Sequence, residues 1–417
     1  MSFMIKLRKY QEEVKNKAID VLREKSLVYL AMQTRTGKTL TSMAIASEME
    51  YKKVLFVTKK KAISSVEKDY KFSSFEFDLT VINYESLHKV VGDFDCFIVD
   101  EAHTLGQFPK VSKRTKLLKE IARNKPIVFL SATPTPENYS QIFHQLWVSS
   151  FSPFGIENEG RRKAFYLFAE KYVDKKEMKI GGRTIYDYSH ARELDVKPII
   201  EPIMITLSQK EAGFTQEVKE EILFVDMSEK TSKLFKTMLK DKIIEGKEEV
   251  AIANSPVKLQ SKCHQIASGS IITDSGKYII LDKSKAYAIE RHAKGRKFCV
   301  YYKFKSEKDI LLSVFKSKIT EVPEEFQESE DKIFISQVIS GREGIRLDTA
   351  DVIYMFNIDF SFLSYEQTKN RVQDFTRKKE PLLVWVFSKL GMEEKVLKAV
   401  KGKKKYTINY FRRDFLK

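Results

Sequence analysis

The chain has 417 residues, 42 % of them apolar and 31 % charged, and its 74 Lys and Arg outnumber its 57 Asp and Glu to give a net charge of +17. That length exceeds a usual single domain, the apolar content excludes a disordered polyelectrolyte, and no apolar run reaches the ~20 residues of a membrane span. The cationic excess favours a polyanionic partner, because each cation set on a phosphate releases a condensed counterion.

Residues 1–9 alternate apolar and basic side chains too briefly for a secretory h-region. Cys96, Cys263 and Cys299 stand apart, with neither disulfide-framework nor zinc spacing, so a reducing cytoplasm is the expected setting. Residues 27–32 form a short apolar run leading straight into Gly37-Lys38-Thr39, and residues 40–48 carry Ala and Met at helical spacing. Further β-rich runs lie at 54–58, 79–83, 96–99 and 127–130, separated by polar or helical stretches. This is the pattern of a parallel sheet with crossover helices. The middle, 151–285, is rich in Lys, Glu and aromatics and reads as a mainly helical insertion. It has helices over 161–172 and 230–244 and turns at Gly181-Gly182 and Asn254-Ser255-Pro256. Alternation returns with strand candidates at 298–302, 333–338, 352–356 and 382–387. The expected fold is therefore α/β: one domain over 1–150, the insertion over 151–285, and a second α/β domain over 286–417 that ends in a basic tail.

Four strand ends carry chemistry. Thr34-Arg35-Thr36-Gly37-Lys38-Thr39 links a strand to a helix, so backbone N–H groups and the helix N-terminus face an anion, Lys38 neutralises phosphate oxygens, and Thr39 offers a hydroxyl to Mg²⁺. Met32 stands where the common loop has its first Gly. The strand at 96–99 ends in Asp100-Glu101, two carboxylates that point apart, one suited to a metal and the other to an attacking water. Ser131 and Thr133 end a third apolar strand and are candidates for relaying nucleotide state. Ser340-Gly341-Arg342-Glu343-Gly344 follows a strand and allows close approach to a phosphate. Upstream, Gln11 has the amide donor and acceptor to read an adenine edge, and Tyr10 can stack nearby. Downstream, Gln367, Arg371 and Arg377 share a helical stretch from which a guanidinium can reach a phosphate. Each of these features alone suits an ordinary loop or solvated helix; their order and number argue for function.

In that order they resemble the superfamily 2 helicases, and within them the switch/sucrose-non-fermenting-type DNA-dependent ATPases, including phage-encoded members. The resemblance spans nearly the whole chain. Residues 7–11 are similar to the family's adenine-side motif, 33–39 to motif I, Asp100-Glu101-Ala102-His103 to a DEAH-type motif II, and 131–134 to motif III. Lys59, Asn83 and Tyr84 stand at its DNA-facing motifs Ia and Ib, and Trp147 where such proteins carry an aromatic. Residues 222–239 resemble the strand and helix of its protrusion, and 261–270 the segment that enters its second domain. Residues 301–304, 340–347 and 367–377 stand at motifs IV, V and VI.

The resemblance implies two RecA-like domains with parallel sheets that close on ATP. It assigns Mg-ATP binding and hydrolysis to Lys38, Thr39, Asp100 and Glu101, with Arg371 completing the site, Gly344 and Gln367 on the nucleotide, and Ser340 and Gly341 on DNA. It also implies movement along duplex or branched DNA. One departure is Asp374, where the family has a second Arg; Arg377 lies one helical turn on. The alternatives are a DNA-binding clamp with a degenerate ATP site and an RNA helicase. The basic, aromatic stretch 401–413 is a further candidate for phosphate contact.

Overall fold

Short runs of β-branched and aromatic residues build two separate sheets in the computed structural model. It describes residues 6–160, 162–180, 183–214, 218–246, 248–338, 347, 349–360, 382–402 and 415. The chain divides into two units, Met1–Gly213 and Phe214–Lys417.

In the first unit the strands are β1 (Leu27–Met32), β2 (Lys53–Thr58), β3 (Asp78–Asn83), β4 (Cys96–Val99), β5 (Ile127–Leu130), a separate antiparallel hairpin of β6 (Lys176–Ile180) and β7 (Arg183–Asp187), and β8 (Met204–Leu207). Six of them form one sheet in the order β3-β2-β4-β5-β1-β8, every neighbouring pair parallel. Helix α1 (Lys9–Lys25) buries Val14, Ala18, Ile19 and Leu22, the spacing of an amphipathic face. It packs on α2 (Lys38–Glu48) and on β1. Leu27, Tyr29, Leu55, Val57, Phe97, Val99, Ile127 and Phe129 face the other way and form a core with Phe143, Phe165, Phe168 and Val196. Burial on both faces is why these strands read as continuous apolar runs.

The second unit repeats the scheme. Its strands are β9 (Lys219–Val225), the hairpin β10 (Ile243–Glu245) and β11 (Val250–Ile252), the hairpin β12 (Ser270–Ile272) and β13 (Tyr278–Ile280), then β14 (Phe298–Tyr302), β15 (Ile319–Thr320), β16 (Ile333–Gln337), β17 (Val352–Met355) and β18 (Leu382–Ser388). The order β15-β16-β14-β17-β18-β9 is again parallel throughout. Two α/β units, each built on an all-parallel six-stranded sheet, agree with the expected fold class. Beneath the second sheet, Lys285 and Glu393 form an ion pair at 2.9 Å with almost no exposure. Lys285 also donates to the carbonyl of Phe356 at 3.1 Å. Removing one partner of such a pair strands a buried charge at a cost of about 3–5 kcal/mol.

The stretch 151–285, expected to be one mainly helical insertion, instead splits at Gly213. It contains helices Ala164–Tyr172, Glu193–Ile200, Glu229–Asp241 and Pro256–Ala267, but also six strands from β6 to β11 and two more in the β12–β13 hairpin. Its strands β8 and β9 extend the two sheets. The residues at 222–227, resembling a strand of a protrusion, thus belong largely to β9 and pair with β18. Charges mask β9: Lys219, Glu220 and Glu221 precede its apolar residues, as suits the edge of a sheet. The three cysteines are buried thiols. Among the described residues no helix is long and apolar enough to cross a membrane.

Candidate active site

All strands of the first sheet run the same way, so β1, β2, β4, β5 and β8 release their following residues at one end, where ligands of open parallel sheets bind. From β1 the chain turns through Gln33 to Gly37 and enters α2. Gly37 adopts φ 81° and ψ 33°, left-handed values that favour glycine. A Cβ there would meet Gln11 Nε2 at 2.1 Å. Arg35 is also left-handed, at φ 63°, which costs a side-chain-bearing residue about 1–2 kcal/mol. Thr36, fully buried, closes the turn by donating from Oγ1 to the carbonyl of Gln33 at 2.7 Å. Met32 is the last residue of β1 and pairs with Leu207, so the position that usually begins such a loop with glycine is ordinary strand here.

Gln11 braces the loop. Its Oε1 accepts from the Arg8 N–H at 2.8 Å, and its Nε2 donates to the carbonyl of Gly37 at 3.3 Å and to Thr41 Oγ1 at 3.5 Å. Both ends of the amide expected to read adenine are thus engaged with the start of α1 and with the turn that enters α2. Tyr10, half-buried, sits beside it.

Lys38 folds back over the same loop, donating to the carbonyls of Met32 at 3.0 Å and Gln33 at 3.1 Å. Burial lowers its pKa, while Glu101 and then Asp100 pull it up, which places the ammonium in the field of both carboxylates. Asp100 leaves β4 with its N–H on the Val57 carbonyl and accepts from Thr58 Oγ1 at 2.8 Å. Burial first, and then the charge of Glu101, push its carboxyl up to about 6. The Thr58 hydroxyl and the Lys38 ammonium offset only part of that rise. The site therefore fits a cation, and Mg²⁺, which keeps several waters, needs few protein ligands beyond Asp100 and the Thr39 hydroxyl.

Glu101 takes a left-handed backbone, φ 50° and ψ 43°, and its Oε2 lies 3.1 Å from His103 Nδ1. Burial, together with the nearby cation Lys59, lowers the His103 pKa to about 3, so its imidazole is neutral near pH 7. The same Nδ1 lies 3.0 Å from Ser131 Oγ, which also accepts from the Thr133 N–H at 3.1 Å. Ser131 is hydrogen-bonded in turn to Tyr29, whose buried hydroxyl donates to Gln145 Oε1 at 2.7 Å. Gln145 Nε2 returns to the carbonyl of Pro134 at 2.8 Å. A continuous, buried polar chain thus joins Glu101 to the turn that follows Ser131 and Thr133.

Lys59 follows β2 at the same sheet end, and Asn83 caps a short 3-10 helix by accepting from the Ser86 N–H at 2.9 Å. Tyr84, expected to face DNA, is instead buried at 3 % exposure and donates its hydroxyl to the Asp100 carbonyl. An aromatic residue directly after a strand end packs inward when its hydroxyl finds a buried acceptor. Tyr84→Phe is therefore expected to cost about 1 kcal/mol of stability, read as a lower urea midpoint, while DNA affinity and its salt slope stay unchanged. Weaker DNA affinity in that variant, with its fold intact, would return Tyr84 to the DNA surface.

Ser340, Gly341, Gly344, Gln367, Arg371, Arg377 and most of the basic tail lie outside the described residues. Sequence reasoning missed Tyr29, Gln145 and Gln209. The only signal was a tyrosine in an otherwise apolar strand, since a hydroxyl buried there must find a partner.

Residues 4–76 match the family model of the type III restriction enzyme res subunit, and residues 45–142 that of the DEAD/DEAH box helicases. The CHD3-type chromatin-remodeling factor CHR7 of Arabidopsis thaliana is 22 % identical over 372 residues, 79 % of this chain. The chain spans 28 % of that relative's length. Among solved structures, the Sulfolobus solfataricus SWI2/SNF2 ATPase core in complex with dsDNA aligns over 99 % of this chain and 93 % of its own, at 14 % identity and a TM-score of 0.44. The SWI2/SNF2 ATPase core domain from the same organism aligns over 98 % and 91 %, at 16 % identity and a TM-score of 0.41.

Proposed function

We propose that the chain is a nucleic-acid-stimulated ATPase that turns Mg-ATP hydrolysis into movement on duplex or branched DNA. One observation carries the reading: the phosphate loop and the Asp100-Glu101 pair leave β1 and β4 at the same end of one sheet, close enough for both carboxylates to act on Lys38. Phosphoryl transfer asks little more of a protein than positioned charge. When bound, Mg²⁺ supplies neutralising charge on the phosphates; Asp100 and Thr39 hold it. Lys38 binds phosphate oxygens, Glu101 orients the attacking water, and residues 34–37 present backbone donors. Arg371 and Arg377, outside the described residues, are the candidates for the remaining cation. The polar chain through His103, Ser131, Tyr29 and Gln145 ties the position of Glu101 to that of Thr133.

DNA is favoured as the track by the net charge of +17 and by the similarity to a chromatin-remodeling factor. Lys59, Asn83, Ser340 and Gly341 are the proposed contacts. The test is phosphate release from ATP without polymer and with single-stranded, duplex and forked DNA and RNA. The expected result is stimulation of about tenfold or more by duplex or forked DNA. Stimulation by RNA alone would assign an RNA helicase. ATP bound but never hydrolysed would assign a clamp, with Asp374 the first residue to reverse.

A further inference from the structure

Gln209 lies in none of the segments that carry the family resemblance, yet it holds the entrance of the phosphate loop. It follows β8, whose last residue, Leu207, pairs with Met32 and accepts from the Gln33 N–H at 2.8 Å. Beyond that point side chains continue the ladder. The Gln209 N–H donates to Gln33 Oε1 at 2.7 Å, and Gln209 Nε2 donates to the carbonyl of Thr34 at 3.0 Å. Gln209 is 5 % exposed, so neither bond competes freely with water. A small turn presents it. Ser208 donates from both N and Oγ to Glu211 Oε2 at 2.7 Å, Glu211 N–H returns to Ser208 Oγ at 3.2 Å, and Gly213 ends the turn at φ 86°.

Gln33 is the hub of the arrangement. Its carbonyl already accepts from Thr36 Oγ1 and Lys38 Nζ, while its N–H and its amide oxygen both face β8 and the turn. The loop is thus gripped at its exit by Gln11 and at its entrance by Gln209.

We propose that Gln209 is a positioning residue for nucleotide binding: it fixes the Gln33-Thr34 backbone so that residues 34–38 meet the phosphates without rearrangement. The inference rests on the phosphate-loop reading above. Without its donor the half-buried carbonyl of Thr34 loses its partner and the loop must reorder on binding, a cost shared by ground state and transition state. Such a loss raises KM and leaves kcat nearly unchanged.

The experiment is titration of the full chain with a fluorescent ATP analogue and Mg²⁺, alongside steady-state hydrolysis, for wild type, Gln209→Met, which keeps the volume and loses the donor, and Gln209→Lys, which restores one. Circular dichroism fixes a temperature at which each is folded. Gln209→Met is expected to bind about fivefold to tenfold more weakly, with kcat within about twofold of wild type and recovery in Gln209→Lys. Equal affinity in folded Gln209→Met would overturn the inference while leaving the site intact. If Gln209→Met does not fold, Gln33→Met, which removes the acceptor from the exposed side, is expected to show the same loss, and unchanged affinity there overturns the inference too. Failure of the wild type itself to bind the analogue would instead remove the phosphate-loop reading, and the inference with it.

Discussion

Lys38→Ala is expected to lower ATP turnover by about a hundredfold to a thousandfold, the usual cost of deleting a preorganised charge from a site of charge transfer. The ammonium already lies within reach of two loop carbonyls, and two carboxylates oppose in part the lowering of its pKa by burial. It therefore needs only a short shift to exchange carbonyl oxygens for phosphate oxygens. Alanine also leaves the Met32 and Gln33 carbonyls without that donor, which adds a folding cost of about 1 kcal/mol. Phosphate release measures the first effect and a urea midpoint the second. DNA affinity, measured by anisotropy, should change by less than about twofold, because the proposed track contacts lie on other loops. Turnover at the wild-type rate in Lys38→Ala would place hydrolysis elsewhere in the chain.

Glu101→Gln is expected to remove about 10²–10⁴-fold from kcat while ATP affinity holds or rises. Glutamine keeps the shape beside His103, whose Nδ1 hydrogen bond is with Ser131, so the polar chain survives and only the charge is lost. Losing that charge also relieves Asp100, whose pKa Glu101 helps to hold up, and a more readily ionised Asp100 holds a cation better. Loss of hydrolysis with intact binding would assign Glu101 to the chemical step. A parallel loss of binding would instead make it a structural partner of His103.

The chemistry was legible because it is local. A glycine and a lysine at a strand-to-helix turn, or two carboxylates at a strand end, need only their neighbours in sequence to be recognised, and β4 and β5 were bounded correctly by their apolar runs alone. What stayed hidden is paired over long distances. Gln209 meets Gln33 across 176 positions and Tyr29 meets Gln145 across 116, so nothing near either residue announces its partner. Tyr84 was misplaced for the same reason: the acceptor that draws it inward, the Asp100 carbonyl, lies just past the end of another strand. The edge strands β8 and β9 were hidden differently. The first is only four residues long, and the second begins with three charges on a half-exposed edge, so neither shows a clean period of two.

That second edge strand has a consequence for synthesis. The first sheet is complete once β8 leaves the ribosome, since every strand it pairs with has already been made. In the second, β9 is translated first of its sheet, yet among the described residues its neighbour in that sheet is β18, whose Leu382 lies far beyond Val225. At about 5–20 residues per second, the nascent apolar run 222–225 waits on the order of 10–30 s for its partner. During that interval Ile222, Leu223 and Phe224 form an unpaired, strand-prone segment, the part of the chain most in need of shielding by a chaperone and most sensitive to a stalled ribosome.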